Sequence, residues 1–120
     1  MRQFLRSKIH RATITQTDLH YEGSLTLDRD LMDAASIADH EVIHVVNVNN
    51  GERLETYAIA GERGSKVIGL NGATTYKGSV GDRLIIFTFC QVPEDEAAQH
   101  SPLVLVLDEN NEPVGGLRRL

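Results

Sequence analysis

Tryptophan is absent from the 120 residues, and aromatic side chains make up only 5% of them. Single-stranded nucleic acid is held on rows of aromatic faces, so a stacking platform of that kind is excluded. Positive charge is also scarce, with 12 Lys and Arg against 17 Asp and Glu and a net charge of -5. An acidic surface repels phosphate backbones and anionic headgroups, and the sole basic tract is Arg118-Arg119 at the tail. The single cysteine, Cys90, allows no intrachain disulfide. Its place in the apolar run 84–92 reads as the buried packing of a small hydrophobe. No apolar run has the length of a signal peptide or a membrane span. The expectation is a cytoplasmic, soluble protein with neither a nucleic-acid nor a membrane partner.

Several chemistries lack their residues too. No cysteine pair or histidine-rich spacing supports a zinc site, so no metal is expected. Neither a phosphate-cradling Gly-x-x-x-x-Gly-Lys-Thr nor a Gly-x-Gly-x-x-Gly after a strand occurs. The five histidines, 10, 20, 40, 44 and 100, are scattered. His40 and His44 would converge only on a helix, and they fall in a strand-like stretch.

What is present is enough for one domain spanning 1–120. With 41% hydrophobic and 24% charged residues, ordinary packing around a core is expected rather than disorder. Residues 1–17 carry Ile9, Ala12 and Ile14 in near-alternation with polar side chains and read as a strand. Residues 18–24 read as a turn. Asp28 then caps a short helix bearing Leu31, Met32, Ala34, Ala35 and Ile37. Val42, Ile43, Val45, Val46 and Val48 form a β-branched run closed by Asn49-Asn50-Gly51, a hairpin signal, and residues 53–60 are its partner strand. After a turn at 61–64, residues 66–70 form a third short strand. Asn71-Gly72 reads equally as a hairpin or as a loop presenting backbone N–H groups. Residues 83–91 are the most strongly β stretch; Pro93 ends it, and one or two helical turns follow over 94–99. Residues 103–107 make a last strand. A short echo links 36–43 with 79–85, each a small turn with Asp leading into a buried strand. Two such units suggest a barrel of pseudo-repeated halves, since closure removes exposed sheet edges.

The chemistry-bearing residues left over are Lys8-x-His10-Arg11, Asp18-Leu19-His20-Tyr21-Glu22-Gly23-Ser24, Asn50-Gly51-x-Arg53-x-x-Thr56-Tyr57-Ala58-Ile59 and Asn71-Gly72-Ala73. In content, order and spacing this set resembles the pyruvoyl-dependent aspartate 1-decarboxylases, from about residue 2 to Pro93. The resemblance implies a mainly β fold, a double-psi β-barrel with short helices, assembled as a homotetramer with sites at subunit interfaces. It implies a carboxy-lyase that converts L-aspartate to β-alanine and carbon dioxide for pantothenate synthesis. It also implies self-cleavage between Gly23 and Ser24 into a β-chain, 1–23, and an α-chain, 24–120. The cofactor would then be a covalent pyruvoyl group made from Ser24, which forms a Schiff base with substrate; pyridoxal phosphate has no part.

The residue types suit those roles. Gly23 lacks a Cβ that would hinder approach to its carbonyl. By the resemblance, Ser24 Oγ attacks that carbonyl and Thr56 helps hold the resulting oxyanion. Arg53 offers a planar, permanently charged fork for a carboxylate. Tyr57 resembles the family's proton donor, and a phenol with an ordinary pKa near ~10 keeps its proton at neutral pH. Asn71, Gly72, Ala73 and Thr74 would contact substrate, while Lys8 adds a second positive charge with His10 in support. Val46 stands where many of the family carry Trp, and Thr74 where Ala is common. Two other readings remain open at this level: a small barrel serving as a binding or regulatory module, and a pyruvoyl enzyme for another acidic amino acid.

Overall fold

The computed structural model describes residues 1–120 and is built almost wholly from strands. In chain order these are β1 (Arg2–Thr13), β2 (Gln16–Asp18), β3 (Ser24–Asp28), the helix α1 (Arg29–Ala34), β4 (Val42–Asn47), β5 (Arg53–Gly61) and β6 (Ile68–Asn71). A 3-10 turn (Gly72–Lys77) leads to β7 (Arg83–Val92), a second (Glu94–Gln99) to β8 (Leu103–Val106), and β9 (Arg118–Arg119) ends the chain. Their order in the sheet is β2-β6-β3-β5-β4-β7-β1-β8-β9.

That order hides a closed ring, because β1 and β2 are two ends of one extended segment. At the join, Ile14 N–H donates to Asp82 O at 2.9 Å and Thr15 N–H to Ile68 O at 2.8 Å. The ring β1/β2–β6–β3–β5–β4–β7 therefore returns to its start, with β8 and β9 appended outside. The fold is mainly β and barrel-like, as expected. Antiparallel and parallel pairs mix: β3 runs parallel to β5, β2 to β6 and β1 to β8.

Alternation decides which side chains fill the barrel. Leu25 and Leu27 of β3, Ile43 and Val45 of β4, Ile68 and Leu70 of β6, and Leu84 and Ile86 of β7 are all buried in one core. In β1 a bulge between His10 and Ala12, with Arg11 at φ 69, shifts the alternation by one. Ile9 and Ala12 can then both face inward. The echo between 36–43 and 79–85 has a structural counterpart. Its two strands, β4 and β7, are antiparallel neighbours in register Val45↔Ile86 and Val46↔Ile85.

Some boundaries differ from the sequence reading. Ser24 opens a strand rather than ending a turn, since two inward leucines suffice once β5 and β6 flank them. The helix stops at Ala34, and Ser36 at φ 58 breaks it before Ile37. Of the two readings of Asn71-Gly72, hairpin or loop, the structure takes the second, as the entrance to the first 3-10 turn. The polar tail adds β9. Cys90 is half-buried rather than buried.

Buried polar side chains tie the ends of elements together. Asn111, 1% exposed, donates to Thr13 O and Lys66 O and accepts from Thr13 N–H, clamping the β1–β2 join. Asp28 is fully buried and accepts from Asp30 N–H at 2.8 Å, Lys66 N–H at 2.8 Å and Gly64 N–H at 3.1 Å. Burial pushes its carboxyl up, but these three donors and the Lys66 charge outweigh it, and the net pKa is lowered. A carboxylate with a lowered pKa adds stability above its unfolded pKa and loses it as pH falls through the folded one. Asp28→Ala is therefore expected to cost about 3–5 kcal/mol at pH 7, the loss of a cap plus stranded buried donors. Urea melts of both chains check this, and the gap should narrow below about pH 4 as the wild-type carboxylate is protonated.

Candidate active site

Ser24 begins β3 and pairs with Asn71, the last residue of β6. The inward residues of these strands are Leu25 and Leu70, so Ser24 and Asn71 share the opposite, outer face. Both are covered, Ser24 fully and Asn71 to 3% exposure. Asn71 Nδ2 donates to Ser24 Oγ at 2.9 Å and to Thr26 Oγ1 at 2.8 Å. The Ser24 hydroxyl donates in turn to Glu22 O at 3.2 Å. Its oxygen is thus held from two sides.

The cover is the strap 21–23. It lies against Gly72, whose φ of 64 already favours glycine, and a Cβ there would come within 2.8 Å of Gly23 N and Tyr21 O. The need for a missing side chain falls on Gly72. Gly23 itself has open space around a would-be Cβ. Beyond Gly72, Ala73 is exposed and Thr74 half-buried, with Thr74 Oγ1 donating to Asn71 O at 2.8 Å. The opening N–H groups of such a turn have no acceptor within it.

β5 supplies the next group. It runs parallel to β3 with Leu25 opposite Ala58. Continuing that register one step sets Ser24 beside Tyr57, and one step more brings Thr56 toward Gly23. Tyr57 is half-buried, with the His40 ring 6.4 Å away and tilted by 52°. Thr56 faces the barrel side with Leu54 and Ala58, opposite Ile43. Ser24 and Asn71 thus share the outer face, Tyr57 joins them there by continuation of the register, and the Thr56 side chain turns to the barrel side.

Arg53, Lys8 and His10 do not join them. Arg53 is four residues before Tyr57 on β5, about 13 Å along a strand. It is opposite Val46, which is opposite Ile85, which is opposite His10. A parallel row runs Glu55, His44, Phe87, Lys8. These rows form one outer wall of the barrel, crossed by half-buried Val46, Ile85, Phe87 and Phe89 and by Val42, 57% exposed. Lys8 lies on β1 in a ladder with β7, whereas Ser24 lies on β3 between β5 and β6, so the two belong to different walls of the ring. Side chains that point outward from different walls of a barrel diverge.

The cations of this wall are available for a ligand. Neither Lys8 nor Arg53 takes part in any of the chain's eight ion pairs, whereas His44 is 3.0 Å from Glu55. His10 has its pKa lowered by burial and by the positive charges of Lys8, Arg11, Arg118 and Arg83, and its Nδ1 is buried without a partner. Its imidazole is thus kept neutral amid cations. Of the two surface clefts, neither is lined by Ser24, though one reaches Thr26. One is lined by Gln91 to Pro93 with Glu96, Gln99 and His100, the other by Gln16, Thr26, Gly61, Glu62, Ser65 and Val67. No concavity of the single chain holds Ser24.

Sequence comparison gives this constellation a family. The family model described as aspartate decarboxylase matches residues 1–114. The chain belongs to the aspartate decarboxylase family. It is similar to the aspartate 1-decarboxylase of Clostridium kluyveri, 57% identical over 107 residues that cover 89% of this chain and 84% of that protein. The same holds for the aspartate 1-decarboxylase of Maricaulis maris, 50% identical over 110 residues, covering 92% and 91%. That of Hyphomonas neptunium is 51% identical over 108 residues, covering 90% and 92%. The family model spans the whole barrel, β1 through β8, and every residue named around Ser24. Two contributors to the site were not found from sequence, Thr26 and the Glu22 carbonyl. Thr26 stands two residues after Ser24, so it shares a face with it once β3 is known to be a strand. No helix of the chain is long and apolar enough to cross a membrane.

Proposed function

We propose that this member of the aspartate decarboxylase family is a carboxy-lyase that decarboxylates L-aspartate to β-alanine for pantothenate synthesis. It does so after cutting itself between Gly23 and Ser24 into chains 1–23 and 24–120. The observation that carries the self-cleavage is the held Ser24 hydroxyl, buried under the 21–23 strap and bonded to Asn71 and the Glu22 carbonyl. A serine with an ordinary structural role has no need of a side-chain amide aimed at it and a glycine packed beside the preceding bond.

A pyruvoyl group left at position 24 supplies an electron-accepting ketone that withdraws the electrons freed when carbon dioxide departs. The residues around position 24 fit such a group: Asn71 offers a donor to an oxygen there, and Tyr57, one residue before the Ala58 that pairs with Leu25, would supply a transferable proton from the same outer face. Lifting the strap after cleavage uncovers position 24, which is closed in the uncut chain. Gly72, Ala73 and Thr74 frame its edge with backbone groups.

L-Aspartate carries two carboxylates, and the two unpaired cations of the outer wall, Arg53 and Lys8, match that charge. Within one chain they stand on a different wall from Ser24. A second copy that packs on the outer wall would deliver them and cover Val42, Val46 and Phe87 at the same time. Such a site between subunits is what the homotetramer of this reading would provide.

Intact and denaturing mass spectrometry tests the reading. The purified protein should resolve into a fragment ending at Gly23 and a second whose first residue is a ketone, and it should release carbon dioxide from aspartate. One uncut chain after prolonged incubation, with no carbon dioxide, would falsify it.

A further inference from the structure

We propose that Thr26 is a positioning residue for self-cleavage. Through the Asn71 amide it keeps an N–H aimed at Ser24 Oγ, the atom on which negative charge develops when the bond to Ser24 Cβ breaks. The proposal rests on the reading that the Gly23–Ser24 bond is the one cut.

The amide of Asn71 has two N–H bonds, and both are used: one goes to Ser24 Oγ at 2.9 Å, the other to Thr26 Oγ1 at 2.8 Å. Its nitrogen is therefore held at two points, on one face of two adjacent strands. Thr26 is in turn held by its own packing. A Cβ built on Gly61 would lie 2.5 Å from Val67 Cγ1 and 3.0 Å from the Thr26 methyl, so the space that Gly61 leaves is filled by Val67 and that methyl together. With the methyl seated against β5, the hydroxyl is directed across β3 to β6, where Asn71 is. β-Branched side chains are stiff about their first torsion, which makes that direction durable.

The chemistry shows why an N–H at this spot matters. In the first step the Ser24 hydroxyl adds to the Gly23 carbonyl carbon, the Gly23–Ser24 C–N bond breaks, and the Ser24 nitrogen takes the hydroxyl proton. The product is an ester between Gly23 and Ser24 Oγ, with the same mass as the starting amide. In the second step a base removes the Ser24 α-proton, the Cβ–Oγ bond breaks, and Oγ leaves as one oxygen of the Gly23 carboxylate. A dehydroalanine remains at position 24, and water then replaces its nitrogen with a ketone oxygen and releases ammonia. Oγ is a neutral ester oxygen before the second step and part of an anion after it. A donor fixed on Oγ thus binds the transition state of that step more tightly than the ester.

The Ser24 hydroxyl no longer has a proton to give Glu22 O once the ester forms, so of its two partners only Asn71 can still bond Oγ. Without the Thr26 hydroxyl, the second N–H of this almost fully buried amide has no acceptor. The amide then turns to find one, and the donor on Oγ is lost for part of the time. Thr26→Val keeps the shape and the β-branch and removes only that acceptor. Thr26→Ser keeps the hydroxyl.

Fresh precursor of wild type, Thr26→Val and Thr26→Ser should be followed by intact mass for appearance of the two chains. Matched samples quenched in denaturant and treated with neutral hydroxylamine, briefly enough to spare the Asn50-Gly51 and Asn71-Gly72 bonds, report the ester as a 1–23 hydroxamate, distinct in mass from the 1–23 acid left by completed cleavage. Final cleavage of Thr26→Val is expected to slow about tenfold, with a raised ester fraction, while Thr26→Ser keeps the wild-type rate and ester level. Melting curves of the three precursors show whether the fold is shared. Cleavage of Thr26→Val within twofold of wild type would overturn the proposal, and so would slowing without ester accumulation, since that places the fault before the elimination. A wild-type chain that never cuts sinks the self-cleavage reading instead.

Discussion

Ser24→Ala is expected to stay a single 13.3 kDa chain, folded and uncut, with no decarboxylation above background. The substitution removes only the hydroxyl. It leaves the strand, the core on its other face and the Gly72 packing in place but strands one N–H of the buried Asn71 amide, so the folded precursor should be about 1–3 kcal/mol less stable than uncut wild type. What is lost is the attacking oxygen, and with it every later step. Denaturing mass spectrometry reads the result directly, and a fragment ending at Gly23 from this variant would remove Ser24 from the reaction. The same variant also tests the shared site. Lys8→Ala should cut normally, because Lys8 stands on another wall, yet bind aspartate poorly. Co-expressed with Ser24→Ala, it should recover activity in about one quarter of sites, those pairing an intact position 24 with a partner's intact Lys8. No recovery in mixed assemblies would mean that Lys8 serves its own chain or none.

Tyr57→Phe separates processing from turnover. The ring is retained, so packing against His40 and the register of β5 with β3 survive. The chain should cut at the wild-type rate and carry a ketone at position 24, while kcat for aspartate falls by roughly 10²–10⁴, the usual worth of a positioned acid. KM should change little, since the phenol is asked to give a proton rather than to hold a carboxylate. Unchanged kcat would take the proton-donor role away from Tyr57, and blocked cleavage would assign it to the first reaction instead.

Much of the architecture was legible in the order of residues. Alternation marks β4, β5 and β7, Asn50-Gly51 marks the hairpin between β4 and β5, with Gly51 at φ 75, and Asp28 marks the helix start. Each is a local signal, complete within a few residues. What was misread or left open shares one cause. β3 has only two inward leucines, too few for a pattern, and it becomes a strand because β5 and β6 bond it on both sides. Asn71-Gly72 has hairpin chemistry, but Gly72 spends its positive φ on passing the 21–23 strap.

The Gly23-Ser24 pair, Thr56-Tyr57, Arg53 and Lys8 are all present in the sequence, and with their spacing they determined which chemistry the chain is built for. Where those side chains meet was decided by tertiary structure. Register between strands far apart in sequence sets Tyr57 beside Ser24 and Asn71 across from it, and no local pattern encodes such a pairing. The closure of the ring had the larger consequence. It turns Lys8 and Ser24 outward on different walls, so on the proposed reading a charge that sequence counts as part of the site would come from a second copy. Thr26 shows the same thing at small scale: an ordinary strand threonine by sequence, it becomes a partner of the Asn71 amide because β3 and β6 lie side by side.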